Sequence, residues 1–407
     1  MRNVQTQALP VSPSLYLNKK CLQKTLTSAG CKPRLAEFRA QLTGRALSRK
    51  KLAFSVHARL AQNHCAPLIR EDPSLRPYTD ALNHRFDRYL ELKHQIEGDC
   101  GSLSEFALGY ERFGLHHRDG GVEYVEWAPR ASSLSLMGEF NNWEPSQYPG
   151  TCDDFGVWRV FIPDQEDGTP TVPHMSQVRV SMETPEGRVD RVPTWAQYVE
   201  RCEGTDYHNG VFYNPPENER YQWQHDKPNR KRSLRIYEAH VGMSSEDHGV
   251  ATYNHFTDNV LPRIKEGGYN AIQLMAVQEH ALYSSFGYQV TSFFAASSRS
   301  GTPEDLKRLV DTAHGLGLTV LLDVVHAHAS SNTMDGLNLF DTSTGLYFRD
   351  GPSGYHDLWG TRMFDYGNYE VMRFLLSNLR WYPSFPPLPR TADQSCPVLP
   401  SPAQSCL

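Results

Sequence analysis

Residues 302–328, TPEDLKRLVDTAHGLGLTVLLDVVHAH, read as one helix followed by one strand. Thr302 stands as N-cap before Pro303, Asp305 closes a capping box, and Leu306, Leu309, Val310 and Ala313 recur at helical spacing until Gly315 and Gly317 end the pattern. The second half, LTVLLDVVHAH, is a nearly continuous apolar run, as in a strand covered on both faces. The same alternation recurs on either side. SLRIYEAHVG (233–242) reads as a strand, TYNHFTDNVLPRIKEGG (252–268) as a helix, YNAIQLMAV (269–277) as a buried strand and NYEVMRFLLSNLRWY (368–382) as a further helix. Repeated units with one apolar run per strand predict a parallel sheet, either open and doubly wound or closed into a β/α barrel. No glycine-rich phosphate loop follows any strand, which disfavours a nucleotide-binding sheet.

In such sheets chemistry sits where the strands run out. Those ends carry Glu238 and His240, Glu279 and His280, and Asp323, His326 and His328. By residue type they suit a satisfied polar cluster as well as a ligand site, and the residues alone leave both open. No H-E-x-x-H or similar spacing supports a metal, so neither metal nor cofactor is expected.

Upstream the texture changes. From Phe106 to about Asn214, short runs such as VEYVEWAP, SSLSLMGEFNNW, GVWRVFIP and QVRVSME alternate with turn signals at 119–121 and 153–156, predicting an antiparallel β-sandwich over 101–215. Its aromatic residues with neighbouring amides suit carbohydrate, because indole faces stack on sugar rings while Asn and Asp bond the hydroxyls. Trp158, inside a strand, reads as core; Trp143, beside a turn, reads as functional. A polar, proline-containing linker spans 216–232, and the barrel portion follows over 233–382.

The ends differ again. Residues 1–70 are basic, with Glu37 the single acid, and read as a disordered leader; 71–100 form a helical cap with Leu82, Phe86, Tyr89, Leu90, Leu92 and Ile96 on one face; 383–407 are a Pro/Ser-rich disordered tail. Net charge over the 407 residues is only −5 and no apolar run approaches the roughly 18 residues a span needs, so neither nucleic acid nor membrane is expected as partner. The eight cysteines are scattered without a C-x-x-C pair, which fits a reducing, cytoplasmic compartment, or a plastid if the leader is a transit peptide.

LLDVVHAHAS resembles the first signature region of the α-amylase superfamily, and EHALYSSFGYQVTSFFAASSRSGTPEDL is similar to the segment before it in eukaryotic glycogen and starch branching enzymes. SLRIYEAHVG, LPRIKEGGYNAIQLMA and NYEVMRFLLSNLRW resemble the same family, while EWAP and GEFNNW resemble its amino-terminal glucan-binding module. The resemblance implies a β-sandwich carbohydrate-binding module followed by the first part of a (β/α)8 TIM barrel, in a monomer whose partner is an α-glucan. It implies that Tyr288 stacks on the sugar at the cleavage point, that His328 bonds that sugar's hydroxyls and that Asp323 props the site. In the sandwich it implies glucan contacts at Trp127, Ala128, Pro129, Trp143, Asp154, Phe155 and Gly156, and on the last helix at Glu370, Val371, Met372 and Arg373. Family members often have Ser where Ala327 stands.

The family cleaves an α-1,4 link, holds the chain as a covalent ester and passes it to a 6-hydroxyl. By the same resemblance, the helix containing FLLSNLRW leads into a fourth strand carrying the nucleophilic aspartate, with the glutamate acid/base further on. Pro383 stands there instead, and Asp393 lies in a proline-rich stretch unsuited to a buried strand. The expectation is a truncated, inactive form. A non-catalytic glucan-binding protein is the alternative, and an intact amylase or debranching hydrolase comes third.

Overall fold

The computed structural model describes residues 64–382, except 203, 206 and 230–232. Most of the basic leader and all of the 383–407 tail lie outside the described residues. The chain divides into two compact units, 1–92 and 93–407. α1 (Ala66–Glu71) leads through a 3-10 turn, whose Asp72 side chain accepts from Ser74 N, into α2 (Thr79–Cys100), within which the division at 92/93 falls. The helix forms where the sequence places it, but its apolar stripe is thin: Phe86 and Tyr89 are exposed, and among its described residues only Ile96 is buried.

The second unit opens with the sandwich. One antiparallel sheet has the order β1 (Gly114–Arg118), β2 (Gly121–Trp127), β5 (Val157–Pro163), β4 (Thr151–Cys152). The other runs β3 (Ser133–Gly138), β6 (Gln177–Thr184), β9 (His208–Val211), β8 (Val199–Arg201), with β7 (Gly187–Arg191) also pairing β6. Period-two alternation turns Trp158, Val160 and Ile162 inward, where they share one core with Leu134, Leu136, Val178 and Val180. The Trp158 indole is spent on structure, its Nε1 donating to Ala128 O at 3.0 Å.

The parallel sheet then appears as β10 (Ile236–Ala239), β11 (Ala271–Leu274) and β14 (Thr319–Leu322), in that order, with Ile236 opposite Ala271 and Ala271 opposite Thr319. Helix α3 (Leu261–Glu266) precedes β11 and α4 (Pro303–Gly315) precedes β14. The capping box of α4 is reciprocal: Thr302 Oγ1 accepts from Asp305 N at 3.2 Å, and Asp305 Oδ2 from Thr302 N at 2.9 Å. This is an antiparallel sandwich followed by a three-stranded parallel sheet with helices between its strands.

Three features depart from the sequence reading. LTVLLDVVHAH is two strands, not one. Asp323 N still bonds Leu274 O, but the Gln278 side chain takes Val325 N at 3.1 Å, so the backbone leaves the sheet. His328–Ser330 then forms β15, antiparallel to β17 (Thr361–Met363), which also pairs β16 (Tyr355–His356). Second, β14, inside the run read as a buried strand, is only partly covered, and at the other edge of the sheet Ile236 of β10 is 42% exposed. At the opposite edge, Val320, Leu321 and Leu322 line an open apolar groove of about 310 Å³ with Val310, Leu379 and Tyr382, the last two from the region of α5 (Tyr369–Trp381). Third, part of the 216–232 linker is tied down: buried Asp311 of α4 accepts from Tyr221 Oη and from the backbone N–H groups of Gln224 and His225.

Candidate functional site

An antiparallel ribbon, β12 (Gln278–Glu279) with β13 (Ser292–Ala296), carries the loop that presents Tyr288. The chain turns sharply just before it, with φ +55° at Phe286 and +88° at Gly287, where a Cβ would meet Ala276 O at 2.5 Å; only glycine fits that approach. Tyr288 Oη donates to Asp323 Oδ2 at 2.9 Å, and burial together with the Asp323 carboxylate pushes the phenol up to about 12. The strand end therefore braces the ring from behind.

His328 reaches the same place from β15. Tyr288, His328, Ser285, Gln289, Trp359 and Thr361 line one open groove of about 410 Å³. Burial, and then the neighbouring His356, hold the His328 imidazole below its ordinary pKa, so it is neutral at pH 7 and able both to donate and to accept. Tyr288, Asp323 and His328, 40 residues apart at the extremes, are thus gathered at one rim.

The other strand-end candidates go elsewhere. Glu279 is buried and engaged by Ser298 N, His280 N and Arg299, a satisfied structural cluster. His326 Nε2 is paired with Asn378 Oδ1 at 2.7 Å, and Glu238 lies exposed beside Gln273. No group among the described residues brings together three or more metal-binding side chains.

On the sandwich, Trp143 is 36% exposed and follows Asn142 in a doubly left-handed turn, φ +51° and +61°. Two such non-glycine residues in succession are strained, and Asn141 Oδ1 on Gly138 N with Trp143 N on Gly138 O at 2.9 Å holds them there. Phe155 is 81% exposed at the tip of the β4–β5 turn, which Asp153 Oδ1 clamps by accepting from Phe155 N and Val157 N. Asp154 and Pro129 are exposed, and Gly156 (φ +79°) has its Cα position pressed so close to Pro129 that a Cβ would sit 2.5 Å from it.

Five expected contact residues are corrected by their placement, since they lie buried: Trp127, Ala128, Gly156, Val371 and Arg373. Trp127 is 9% exposed, packed edge-on against Tyr347 with ring centroids 5.7 Å apart, so no indole face is free to stack. Ala128 and Val371 are fully buried in the same core. On α5, Glu370 and Arg373 form an ion pair at 2.9 Å, Arg373 lies over the Phe106 ring, and Met372 is half-buried. The sequence reading missed Trp359 and Thr361. The available signal was a tryptophan beside a turn in HDLWGT, the same signal that singled out Trp143.

The family profile described as carbohydrate-binding module 48 (isoamylase N-terminal domain) matches residues 112–196, and that of the alpha amylase catalytic domain matches 244–344. A 1,4-alpha-glucan-branching enzyme 2-2, chloroplastic/amyloplastic, of Arabidopsis thaliana is 52% identical over 311 residues, 76% of this chain and 39% of the relative. 1,4-alpha-glucan-branching enzymes of Emericella nidulans and Equus caballus are 54% and 50% identical, over 77% of this chain and 46% and 45% of theirs. The chain spans less than half the length of these curated relatives. Among solved structures, the catalytic module of the glycogen-degrading pneumococcal virulence factor SpuA aligns at TM-score 0.54 and 17% identity, over 67% of this chain and 45% of that one. Pullulanase type I of Bacillus subtilis aligns at TM-score 0.55 and 19% identity, over 67% and 41%. These two likenesses speak to the fold.

Proposed function

Since the chain belongs by sequence to the family of the 1,4-alpha-glucan-branching enzymes, we propose that it supplies the glucan-holding part of a reaction that cleaves an α-1,4 link and passes the chain to a 6-hydroxyl. The observation that carries this reading is the convergence of Tyr288, braced by Asp323, and neutral His328 on one open groove. The phenol ring offers a face to a sugar, and the imidazole offers a donor and an acceptor to its hydroxyls. A second surface, Trp143 and Phe155 with Pro129 and Asp154, would hold a remote stretch of the polysaccharide, with buried Gly156 shaping the turn beneath it. Remote binding of this kind raises the local concentration of chain ends at the groove. Glu370 and Met372, half-buried on α5, would form a further contact edge, with Arg373 held behind them by its ion pair to Glu370.

Turnover asks for more than this. A retaining mechanism needs two carboxyl groups about 5 to 5.5 Å apart across the scissile bond. No residue lining the groove is an acid, and Asp323 meets it only through Tyr288. The polypeptide of residues 1–407 by itself is therefore proposed to bind α-glucan, as a monomer, without branching it. The test is to incubate the purified polypeptide with amylose and with glycogen. Co-sedimentation with glycogen and an unchanged iodine spectrum of amylose are expected; turnover that persists in His328→Ala, or no glucan binding at all, would overturn the reading.

No helix among the described residues is long and apolar enough to cross a membrane. Glycogen against starch, and cytoplasm against plastid, divide within the family, one plant relative being chloroplastic/amyloplastic. We propose a reducing compartment for this chain on its cysteine usage, the cytoplasm, or a plastid if the basic leader acts as a transit peptide.

A further inference from the structure

The geometry points to Trp359 and Thr361 as binding residues of the same groove: Trp359 as the stacking face for a glucosyl unit next to the one held by Tyr288 and His328, and Thr361 as a hydroxyl partner for it. This rests on the reading of the groove as an α-glucan site and extends it.

The argument starts with the hairpin. β16 and β17 pair His356 with Thr361, leaving residues 357–360 as the turn, and both Trp359 N and Gly360 N donate to His356 O, at 3.1 and 2.9 Å. Gly360 closes the turn at φ +60°. From across the groove Gln289 Nε2 donates to Trp359 O at 2.9 Å. The indole is thus fixed at its backbone from two sides, yet it stays 53% exposed. One of its faces is taken by His356, stacked at 4.0 Å and 7°, while His328 lies tilted beside it at 5.3 Å. A rigidly held indole, packed beneath and open above, loses little freedom on receiving a flat apolar surface.

The polar half of the site is independent of the aromatic half. Thr361 is fully buried and its Oγ1 has no hydrogen-bond partner; His328 is 7% exposed and its Nδ1 has none. Both lie in the wall of the groove. Buried donors and acceptors are nearly always paired, and a cluster of orphaned ones around an exposed tryptophan marks a place where a polyhydroxylated ring supplies the missing partners. A lipid tail would match the indole but not the hydroxyl and imidazole beside it. An uncharged sugar matches all three.

The test uses the whole 407-residue polypeptide titrated calorimetrically with maltoheptaose. The W143A/F155A double variant silences the sandwich surface, so its residual binding reports the groove. In that background Trp359→Ala is expected to weaken residual binding about tenfold, as for loss of one aromatic stacking partner, and Trp359→Phe far less. Thr361→Val, which keeps shape and removes the hydroxyl, is expected to weaken it several-fold with an unchanged melting curve. Unchanged affinity in folded Trp359→Ala overturns the inference and makes Trp359 a packing residue for another protein segment. Residual binding that vanishes in the double variant, while the unmutated chain binds, also overturns it and leaves the sandwich as the glucan site. No binding by the unmutated chain overturns the glucan reading itself. If Trp359→Ala does not fold, Thr361→Val decides: a several-fold loss supports the assignment and no loss removes it.

Discussion

At the scale of single residues, the two sandwich tryptophans that share a motif-level reading are separated by what surrounds them. Trp143 stands on a strained, left-handed turn with its ring toward solvent, whereas Trp127 is edge-on against Tyr347 in the core. Trp143→Ala should weaken co-sedimentation with glycogen by roughly 1 to 3 kcal/mol, the worth of one aromatic stacking contact, and leave the melting temperature nearly unchanged. Trp127→Ala should do the reverse, costing about 3 to 5 kcal/mol of stability as a large-to-small core change. Equal effects of both on binding would mean that the core assignment of Trp127 misses its role. Beside Trp127, Glu126 is fully buried among four donors: Tyr124 Oη, Thr194 Oγ1 and the N–H groups of Trp127 and Thr194. Burial outweighs them and raises its carboxyl to about 7 from 4.5. A carboxyl raised on folding binds its proton more tightly in the native state, so the stability it gives is complete below pH ~4.5 and is lost as the pH rises through ~7. In Glu126→Gln the amide nitrogen faces a backbone N–H in either orientation, so the variant should start lower by about 1 to 3 kcal/mol. Its melting temperature should then lack the wild-type fall between pH 4.5 and 7, which thermal melts across that window would measure.

At the scale of elements, α4 shows local chemistry and tertiary anchoring acting together. Its capping box, Pro303 and glycine stop are readable in the sequence, and Thr302→Ala should cost about 1 kcal/mol by removing the cap acceptor. Its Asp311 is different: nothing in the sequence tells that this one helix acid is the post to which residues 221–225 are tied. Burial pushes its carboxyl up, but the hydrogen bonds from Gln224, Tyr221 and His225 together bring it below its ordinary value. Asp311→Asn should free the connector, seen as faster proteolytic cutting between Tyr221 and Asp226 than in Thr302→Ala at matched global stability. The same division explains what could be read beforehand. Strand–helix alternation, caps and the sandwich pattern follow from period and turn chemistry, which are local. Where LTVLLDVVHAH breaks into β14 and β15 is set by the Gln278 side chain, 47 positions upstream of the Val325 N–H it takes. The groove was half visible for the same reason. Tyr288, Asp323 and His328 lie in segments with a recognisable resemblance, whereas Trp359 and Thr361 enter through a hairpin whose position depends on β15.

At the scale of the whole molecule, the three parallel strands form a sheet whose outer members keep apolar side chains in contact with water. Ile236 and Tyr237 are exposed on β10, and Val320, Leu321 and Leu322 border the open groove beside α5. Parallel strands are ordinarily covered on both faces, so this sheet gains stability from any segment that pairs with β14 and packs on that groove. The relatives are more than twice as long as the part this chain spans, which is 39% of one and 46% of another. A chimera in which residues 1–381 are continued by the remaining portion of one of those relatives should melt higher and more cooperatively than the 407-residue polypeptide. It should also add α-1,6 branches to amylose, because Tyr288 and His328 already stand at the rim where an added carboxylate pair would face them. In that chimera His328→Ala should reduce kcat more than it raises KM, since a hydroxyl contact that strengthens as the sugar flattens contributes mainly in the transition state. Trp359→Ala should act the other way, raising KM with a smaller change in kcat, because stacking on a neighbouring unit holds ground and transition state alike. A chimera that folds cooperatively, binds glycogen and forms no branches would show that the rim in this chain is built for holding glucan and not for transferring it.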